Sequence, residues 1–543
     1  MPKTESVLVG EHGRDIPQSC DVVIVGGGVG GIYALYQMRQ RGLSVRLFEA
    51  GSDVGGTWYW NSYPGARVDI PSYEYSYSFD PELQQEWRWP EKYSAQPELQ
   101  KYFRHVVDRY DLREYITFDT RVTATRFDEA TNRWHVETDG GEKVDCRFLI
   151  LATGPLSEPI FPRVEGIDRF KGVSIHTGQW AQGGPDVKGK RVAVIGTGST
   201  GAQVSPELAK EAEKLYLVQR TPAYSVPSQN RPLSDDEHRE VLENYDAIRA
   251  RARKNRSNLG IDVCDDSALD VDAETRDRIY EERWEMGGLG FTAAFGDLYT
   301  SVEANGTAAE FVRKKIRQIV MDQGLADHLM PDTLIGAKRL CVDNGYFQMF
   351  NRNNVELVDL RENNLIEITE GGLLMERGEI PVDVIVFATG FDAITGALLK
   401  IDIRGRDGLS LREAWADGPE TWLGIGTAGF PNLFLVNGPG SPAGLANMVV
   451  LAEDNVNWIA DCIAHMERAG AETIEADKAA QSEWAERLTE MAEASIYPLA
   501  NSWYVGANVP GKPRKFVSHM DYPEYLKACQ QSAKAGYSGF LLK

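Results

Sequence analysis

Cysteine is scarce in this sequence and follows no recognisable pattern. Six cysteines are spread over 543 residues, and none of them belongs to a C-x-x-C pair. A zinc cluster or a disulfide framework requires regular cysteine spacing, so the sequence predicts neither a metal site nor a disulfide-stabilised secreted fold. We therefore expect a reducing, cytoplasmic environment for the chain.

The sequence also lacks long apolar runs and an excess of positive charge. No segment approaches the roughly 20 apolar residues that a membrane-spanning helix requires, and the polar N-terminal segment has no signal-peptide core. Lys and Arg number 58 against 80 Asp and Glu, a net charge of −22. This charge disfavours nucleic acids and anionic membranes as partners. The hydrophobic fraction of 42% is that of a globular protein, and the length predicts about three to four domains.

Glycine is frequent, and it concentrates in short loops that follow apolar runs. The β-branched run at 22–25 predicts a strand, residues 32–41 have helical spacing, and a second predicted strand at 44–48 ends at Glu49. Between the first strand and the helix lies the pattern G-x-G-x-x-G, formed by Gly26, Gly28 and Gly31. Such glycines allow a tight turn and bring a diphosphate to the helix N-terminus, while the acid accepts a hydrogen bond from a ribose hydroxyl. This unit predicts a dinucleotide site.

A second unit of the same kind starts at the predicted strand 191–195. It continues with the turn residues Gly196, Thr197, Gly198, Ser199, Thr200 and Gly201. Its second strand ends not in an acid but in Arg220 and Thr221. A guanidinium pairs with a 2′-phosphate that a carboxylate would repel, so this unit is predicted to bind NADPH. One site for a ribose hydroxyl and one for a phosphate together imply FAD and NADPH in a single chain.

These units predict an α/β fold with two Rossmann-like dinucleotide-binding domains. Two apolar strands that end in Ala-Thr-Gly, at 148–154 and 384–390, are the expected crossings between the domains. Charged amphipathic stretches between them predict a helical insertion. The predicted limits are 1–155 and 389–543 for the FAD-binding domain with the C-terminal segment, 156–225 and 336–388 for the NADP-binding domain, and 226–335 for the insertion.

The reaction class is narrowed by residues that are absent and by one long motif. A disulfide reductase needs paired redox cysteines near the first nucleotide unit, and the chain has none, which favours oxygen chemistry. Residues 170–180 read F-x-G-x-x-x-H-x-x-x-W, and further blocks include GGTWYWNSYPGARVD at 55–69, GAKR at 336–339 and SWYVGANVPGKP at 502–513. In these blocks the sequence resembles the type I Baeyer–Villiger monooxygenases over nearly its whole length.

The resemblance implies an enzyme that uses NADPH and O2 to convert a ketone into an ester or lactone through an anionic flavin peroxide. It implies that Arg339 stabilises the negative charges of the reaction and that Asp69 orients this arginine beside the flavin. It further implies NADPH contacts for Lys338 and Trp503. The flavin contacts that it implies are Thr57, Trp58, Tyr75, Val122 through its backbone, and Met448.

The resemblance also bears on a histidine, on two departures from the family pattern and on a loop. His176 of the signature is expected to couple the domains structurally rather than to act as a general base. Ser62 stands where the family usually has Arg, and Ala181 where it has Pro or Asp, which puts the substrate range in doubt. The loop 438–448 with Ala443, Gly444 and Leu445 is expected to line the ketone site, and its small residues suggest room for a bulky or cyclic ketone.

The sequence is also compatible with two alternative functions. One is a flavin N- or S-hydroxylating monooxygenase, although the signature of that class ends in Phe or Tyr rather than in Trp180. The other is a nucleotide-sensing protein that has lost turnover, against which the presence of Asp69 and Arg339 argues. The sequence does not predict the oligomeric state or the identity of the ketone.

Overall fold

The computed structural model of this chain describes residues 18–180 and 184–543, together with two short strands before residue 18. Ala181, one of the two departures from the family pattern, lies outside the described residues. Within the described part, no helix is long and apolar enough to cross a membrane. No group of three or more His, Cys, Asp or Glu side chains that could hold a metal ion occurs there either.

The strands are numbered in chain order. They are β1 Leu8–Val9, β2 Asp15–Ile16, β3 Ser19–Val25, β4 Val45–Phe48, β5 Ile116–Thr117, β6 Val122–Asp128, β7 Arg133–Thr138, β8 Lys143–Leu151, β9 Val173–His176, β10 Arg191–Ile195, β11 Lys214–Gln219, β12 Ser225–Pro227, β13 Cys341–Asp343, β14 Val355–Asp359, β15 Leu365–Ile368, β16 Gly372–Met375, β17 Gly378–Pro381, β18 Val384–Phe387, β19 Asp402–Arg404, β20 Leu433–Leu435, β21 Ile474–Ala476 and β22 Phe540–Leu542.

The α-helices are numbered in the same way. They are α1 Val29–Gln40, α2 Thr57–Trp60, α3 Pro81–Glu86, α4 Gln96–Arg109, α5 Ser199–Glu211, α6 Asp235–Ala252, α7 Ala273–Met286, α8 Val302–Ile319, α9 Gln323–Leu329, α10 Tyr346–Met349, α11 Gly396–Lys400, α12 Leu411–Ala414, α13 Met448–Ala469, α14 Lys478–Glu493 and α15 Tyr522–Lys534. Short 3₁₀ turns lie at Arg113–Tyr115, Ile167–Arg169, Thr177–Gln179, Gly288–Ala293, Arg406–Gly408, Tyr497–Leu499 and Trp503–Val505.

The first glycine turn belongs to an eight-stranded sheet with the order β19-β6-β7-β8-β3-β4-β5, in which β20 also pairs with β8. Strand β3 is parallel to both of its neighbours, β4 and β8. Its side chains alternate between two buried clusters, since Val22 and Ile24 join one and Val23 and Val25 the other. An apolar run without polar alternation therefore forms a strand that is covered on both faces.

The second glycine turn belongs to a five-stranded parallel sheet with the order β14-β11-β10-β18-β9. Along β10, Val192 and Val194 pack with helices of the insertion, whereas Ala193 and Ile195 pack against the antiparallel sheet β15-β16-β17. Strands before and after the insertion thus share one sheet, because β18 pairs directly with β10.

The insertion is helical, as predicted, and comprises helices α6 to α9. Helix α6 begins with a capping box in which Ser234 and Glu237 satisfy each other's backbone N–H groups. The predicted α/β fold with two dinucleotide-binding units is confirmed. The residue limits proposed for the domains remain a prediction. Strands at 19–151 and 402–435 share one sheet, and β9, β10, β11, β14 and β18 share the other.

Candidate functional site

The three glycines of the first turn fall into two groups. Gly26 has φ +103°, and a Cβ atom on it would lie 2.6 Å from the Ala152 carbonyl oxygen. A Cβ atom on Gly31 would lie 1.8 Å from the Gly26 carbonyl oxygen, so packing within the protein explains both residues. Gly28 is different, because the nearest atom to its Cβ position is 3.5 Å away. It precedes α1, and no side chain caps that helix, so free N–H groups face open space as a diphosphate requires.

Glu49 lies at the end of β4 and is only 4% exposed. Its Oε2 accepts a hydrogen bond from the Gly27 N–H at 2.5 Å, and its Oε1 accepts one from the Gly51 N–H at 2.7 Å. Burial raises the pKa of this carboxyl, while the two N–H donors oppose that rise. The carboxylate is fixed beside the glycine turn, where its remaining lone pairs can accept from a ribose hydroxyl.

We expect the two kinds of glycine to respond differently to alanine. Gly28→Ala should fold normally, since φ is −82° at this position and the added methyl group has space. It should nevertheless lower FAD affinity at least about tenfold by blocking the approach to the helix N-terminus. Gly31→Ala should instead lower the melting temperature, because its methyl group overlaps the Gly26 backbone. The ratio of flavin to protein absorbance measures FAD binding by each variant, and thermal melting of the apoprotein measures its stability. If both variants lowered the melting temperature equally, the assignment of Gly28 to FAD binding would be contradicted.

The other predicted flavin contacts lie in three places. The Trp58 indole donates to the Tyr75 hydroxyl at 3.2 Å, and the exposed Thr57 begins the same short helix α2. Met448 begins α13, and its sulfur accepts from the Gly444 N–H at 3.2 Å. The Val122 side chain is buried in the cluster of Val25 and Phe48, and Val122 pairs with Thr138 of β7, so its backbone contact with the flavin stays a prediction.

The second turn repeats the geometry of the first. Gly196 has φ +117°, and the Cβ positions of Gly196 and Gly201 would clash with backbone oxygens at 2.3 and 2.1 Å, whereas Gly198 has open space around it. Helix α5 follows without a side-chain cap. The Thr197 hydroxyl donates to the Thr221 carbonyl at 2.7 Å, and Ser199 contacts Cys341 at 3.8 Å. Thr197 therefore fixes the turn against the following strand end, and the helix N–H groups remain for phosphate.

Two cations lie close to each other beside this turn. Arg220 is exposed, and Lys338 is half-buried. Burial lowers the pKa of Lys338, the nearby Arg220 guanidinium lowers it further, and the Asp332 carboxylate opposes both effects. Neither side chain forms an ion pair or a hydrogen bond within residues 18–180 and 184–543. Two adjacent positive charges that form no ion pair in the described residues fit an added phosphate, such as the 2′-phosphate of NADPH.

Arg339 and Asp69 form an ion pair where the two halves of the site meet. The guanidinium Nε and Nη2 atoms each lie 2.7 Å from Asp69 Oδ2, and Nη1 donates to the Gly444 carbonyl at 3.0 Å. Burial lowers the pKa of Arg339, but the Asp69 carboxylate and the Tyr504 hydroxyl more than offset this, so the net shift is upward. Arg339 is thus a permanent cation, and its bonds to Asp69, the Gly444 carbonyl and the Tyr504 hydroxyl leave one of its five N–H groups without a partner among these contacts.

Trp503 lies over the loop that contacts Arg339. Its ring centroid is 4.0 Å from that of Tyr504, and a Cβ atom on Gly444 would lie 2.9 Å from the indole. The sequence reasoning did not identify Tyr504, although it adjoins Trp503 in the same block. It also missed the carbonyl of Gly444 as a partner of Arg339, since a backbone contact leaves no signal in residue type.

His176 is buried, and both of its ring nitrogens are occupied. Nδ1 accepts from the Gly178 N–H at 3.0 Å, and Nε2 lies 3.1 Å from the Gly390 carbonyl. This arrangement requires the neutral imidazole, and burial lowers the pKa of His176 to about 4, against the opposing effect of the Gly390 bond. The contacts link the end of β9 to the loop after β18, in line with a structural role. Ser62, in turn, donates to the Trp180 carbonyl at 2.5 Å and so joins the GTWYWN block to the end of the signature.

We expect His176→Asn to lower turnover without removing either limb of the pH–rate profile, because a neutral, fully bonded imidazole is not a titrating base.

His176 should also make the stability of the folded protein depend on pH. With a folded pKa of about 4 against 6.5, the unfolded state binds more protons between these values, so the contribution of His176 is lost as pH falls through 6.5. The stability advantage of the wild type over the variant should shrink by about 2 to 3 kcal/mol between pH 7.5 and 4.5. Melting curves of both proteins across this pH range measure the difference. A stability difference that grows toward low pH would contradict the prediction.

Known proteins resemble this chain along nearly its full length. The Flavin-binding monooxygenase-like family matches residues 19–230. A Baeyer-Villiger monooxygenase of Pseudooceanicola batsensis is 40% identical over 537 residues, covering 98% of each chain. A cyclohexanone 1,2-monooxygenase of an Acinetobacter species is 39% identical, covering 96% of each chain.

Solved structures agree with the sequence relatives. An oxidised steroid monooxygenase bound to NADP superimposes with a TM-score of 0.93 at 48% identity, covering 96% of this chain and 99% of that one. Full-length identity at this level, together with the two nucleotide turns and the Arg339–Asp69 pair, leaves one conclusion. The chain belongs to the Baeyer–Villiger monooxygenase family of FAD- and NADP-binding enzymes.

Proposed function

We propose that this enzyme converts a ketone into an ester or lactone at a site centred on Arg339 and Asp69. The observation that carries this proposal is the placement of a permanently charged guanidinium at the junction of the two nucleotide units, with one N–H group still available. A cation that cannot give up its proton suits a reaction in which negative charge develops on oxygen.

The residues that hold the cofactors follow from the geometry. The turn at 26–31 and Glu49 would hold FAD, and the turn at 196–201 with Arg220 and Lys338 would hold NADPH. When bound, FAD accepts a hydride from NADPH and delivers the electrons to O2, so that one oxygen atom enters the ketone and the other leaves as water. Trp58, Tyr75, Val122 and Met448 would surround the flavin.

Arg339 has two tasks in this proposal. Its positive charge and its remaining N–H group stabilise the developing negative charge and the polarised carbonyl oxygen of the ketone. Its bonds to Asp69 and to the Gly444 carbonyl fix the guanidinium plane, so that little reorganisation is needed during the reaction. Asp69 is therefore a positioning residue for Arg339, and Trp503 shields the loop that supplies the carbonyl.

The ketone is proposed to lie against Ala443, Gly444 and Leu445. Leu445 and Trp503 are only partly buried within an aromatic cluster that includes Tyr504 and Phe516. The small residues at 443 and 444 leave space for a cyclic or bulky ketone beside this cluster. We further propose a cytoplasmic location, which is supported by six cysteines that are all free thiols in the described part of the chain.

The test is an assay of the purified yellow protein with NADPH, ¹⁸O₂ and a panel of linear, cyclic, aryl and steroidal ketones. The expected product is an ester or lactone that carries one labelled oxygen next to the former carbonyl, with one NADPH consumed per product. Faster oxygenation of amines or sulfides than of any ketone would favour the N- or S-hydroxylating alternative. Absence of NADPH oxidation and of flavin bleaching would favour the nucleotide-sensing alternative.

A further inference from the structure

The C-terminal segment that precedes α15 carries a buried serine beside the proposed ketone loop. Ser518 is 1% exposed, and its hydroxyl donates to the Ala443 carbonyl at 2.9 Å. Resting on the proposed function, we propose that Ser518 is a positioning residue for Arg339. Its hydroxyl holds the peptide group between Ala443 and Gly444 in place, and the next carbonyl along the chain is the one that orients the guanidinium.

The peptide group between Ala443 and Gly444 is held by one contact on each side. Its carbonyl oxygen accepts the Ser518 hydroxyl, and in the described part of the chain no backbone N–H donates to the same oxygen. Its N–H donates to the Met448 sulfur at 3.2 Å. A thioether is a weak acceptor, so the serine hydroxyl supplies the stronger of the two bonds.

Gly444 makes this peptide group sensitive to the loss of a bond. Its φ is +79°, and glycine adopts positive and negative values of φ about equally readily. A residue with a Cβ atom would be stiffer, but that atom would lie 2.9 Å from the Trp503 indole. The Gly444 carbonyl accepts from Arg339 Nη1 at 3.0 Å. Because a rotation about φ of Gly444 moves this carbonyl, the orientation of the guanidinium depends on how firmly the preceding peptide group is held.

The backbone on either side of the serine is itself bonded to the loop. The Gly440 N–H donates to the Val517 carbonyl at 2.7 Å, and the His519 N–H donates to the Ser441 carbonyl at 3.0 Å. Val517 also belongs to the same buried cluster as Ala443. The hydroxyl is therefore presented to the loop from a fixed backbone, and it holds the loop carbonyl without any rearrangement.

Ser518→Ala should lower kcat for ester formation by about 5- to 50-fold, because the guanidinium is no longer held in one orientation. The share of NADPH that is oxidised with formation of hydrogen peroxide instead of ester should rise. The KM for the ketone should change less than kcat, since the loss concerns the stabilisation of developing charge. Ser518→Thr, which keeps the hydroxyl, should recover part of the turnover.

Ser532→Ala is the matched control. Ser532 lies within α15, is 2% exposed, and donates its hydroxyl to the Ser538 carbonyl at 2.7 Å. Its replacement should lower the melting temperature as Ser518→Ala does, but leave kcat and the yield of peroxide unchanged. Unchanged kcat and peroxide yield in Ser518→Ala, or an equal loss of kcat in Ser532→Ala, would overturn the inference.

A double-mutant cycle tests whether Ser518 acts through Arg339. In the Arg339→Ala background, Ser518→Ala should add little further loss of the residual ester formation, since the group that it positions is gone. The same fold-loss in both backgrounds would mean that Ser518 acts independently of Arg339, which would overturn the inference.

Amide hydrogen exchange of the holoenzyme separates this inference from the proposed function, because it requires no turnover. Over residues 440–447, Ser518→Ala should exchange faster than the wild type, whereas Ser532→Ala should not. If no ketone is converted but this difference is found, the proposed function fails while Ser518 still holds the loop. Equal exchange of this segment in the wild type and in Ser518→Ala would overturn the inference, whether or not a ketone is converted.

Discussion

Arg339→Ala should reduce ester formation by at least about 10² to 10³, while FAD remains bound and NADPH still reduces it. The reason is the sign of the charge that develops, because oxygen becomes negative at each stage and the guanidinium of Arg339 supplies a positive charge at this point of the site. Arg339→Lys should be nearly as inactive. A lysine ammonium cannot bond Asp69 and the Gly444 carbonyl in one plane, and when desolvated it can release a proton. Stopped-flow reduction and product analysis on the same preparation measure the two steps separately.

The control for this prediction is the partner of Arg339. Removal of the guanidinium leaves the Asp69 carboxylate unpaired, and that charge could itself repel the negative oxygen. The double variant Arg339→Ala with Asp69→Asn removes both charges. If it recovers ester formation, the loss in the single variant reflects repulsion, and the assignment of Arg339 as the stabilising group is wrong. If it stays inactive, the guanidinium is required.

Arg220→Ala should raise the KM for NADPH by about 10- to 150-fold and leave the KM for NADH nearly unchanged. Only NADPH carries the 2′-phosphate, and a charge-assisted contact of about 1.5 to 3 kcal/mol corresponds to this factor. Steady-state kinetics with both cofactors measure it. An equal loss for NADPH and NADH would mean that Arg220 acts on the fold or on the shared part of the nucleotide.

Lys338 provides the matched comparison. Because Arg220 lowers the pKa of Lys338, the two charges belong to one site, and Lys338→Ala should shift the same cofactor preference. The double variant should lose less than the product of the two single effects, since each cation stabilises the phosphate that the other also contacts. Independent effects would indicate that the two side chains serve different groups.

Sequence periodicity located the nucleotide units but placed the starts of their helices too late. Helices were expected from residues 32 and 202, and they begin at Val29 and Ser199. The missed residues form the first turn in each case. These residues include glycines and β-branched or hydroxyl side chains, which have low helix propensity. They also lack the apolar spacing of a helix that packs on the core, because this end of each helix faces the predicted phosphate site. The sheet β15-β16-β17 was also missed, since its short strands gain their stability from packing on the five-stranded sheet.

The sequence by itself determined the two strand–turn–helix units, the acid that ends the second strand of one and the arginine that ends that of the other, and the helical insertion. These features depend on residues close together in the chain, so local pattern and glycine conformation suffice to predict them. The family resemblance added Arg339 and Asp69 as a pair. Only the tertiary structure decided how that pair is held and that Gly444 and Tyr504 complete it. Asp69, Arg339 and Tyr504 come from distant parts of the chain, and their contacts arise from the packing of domains, which no local pattern encodes.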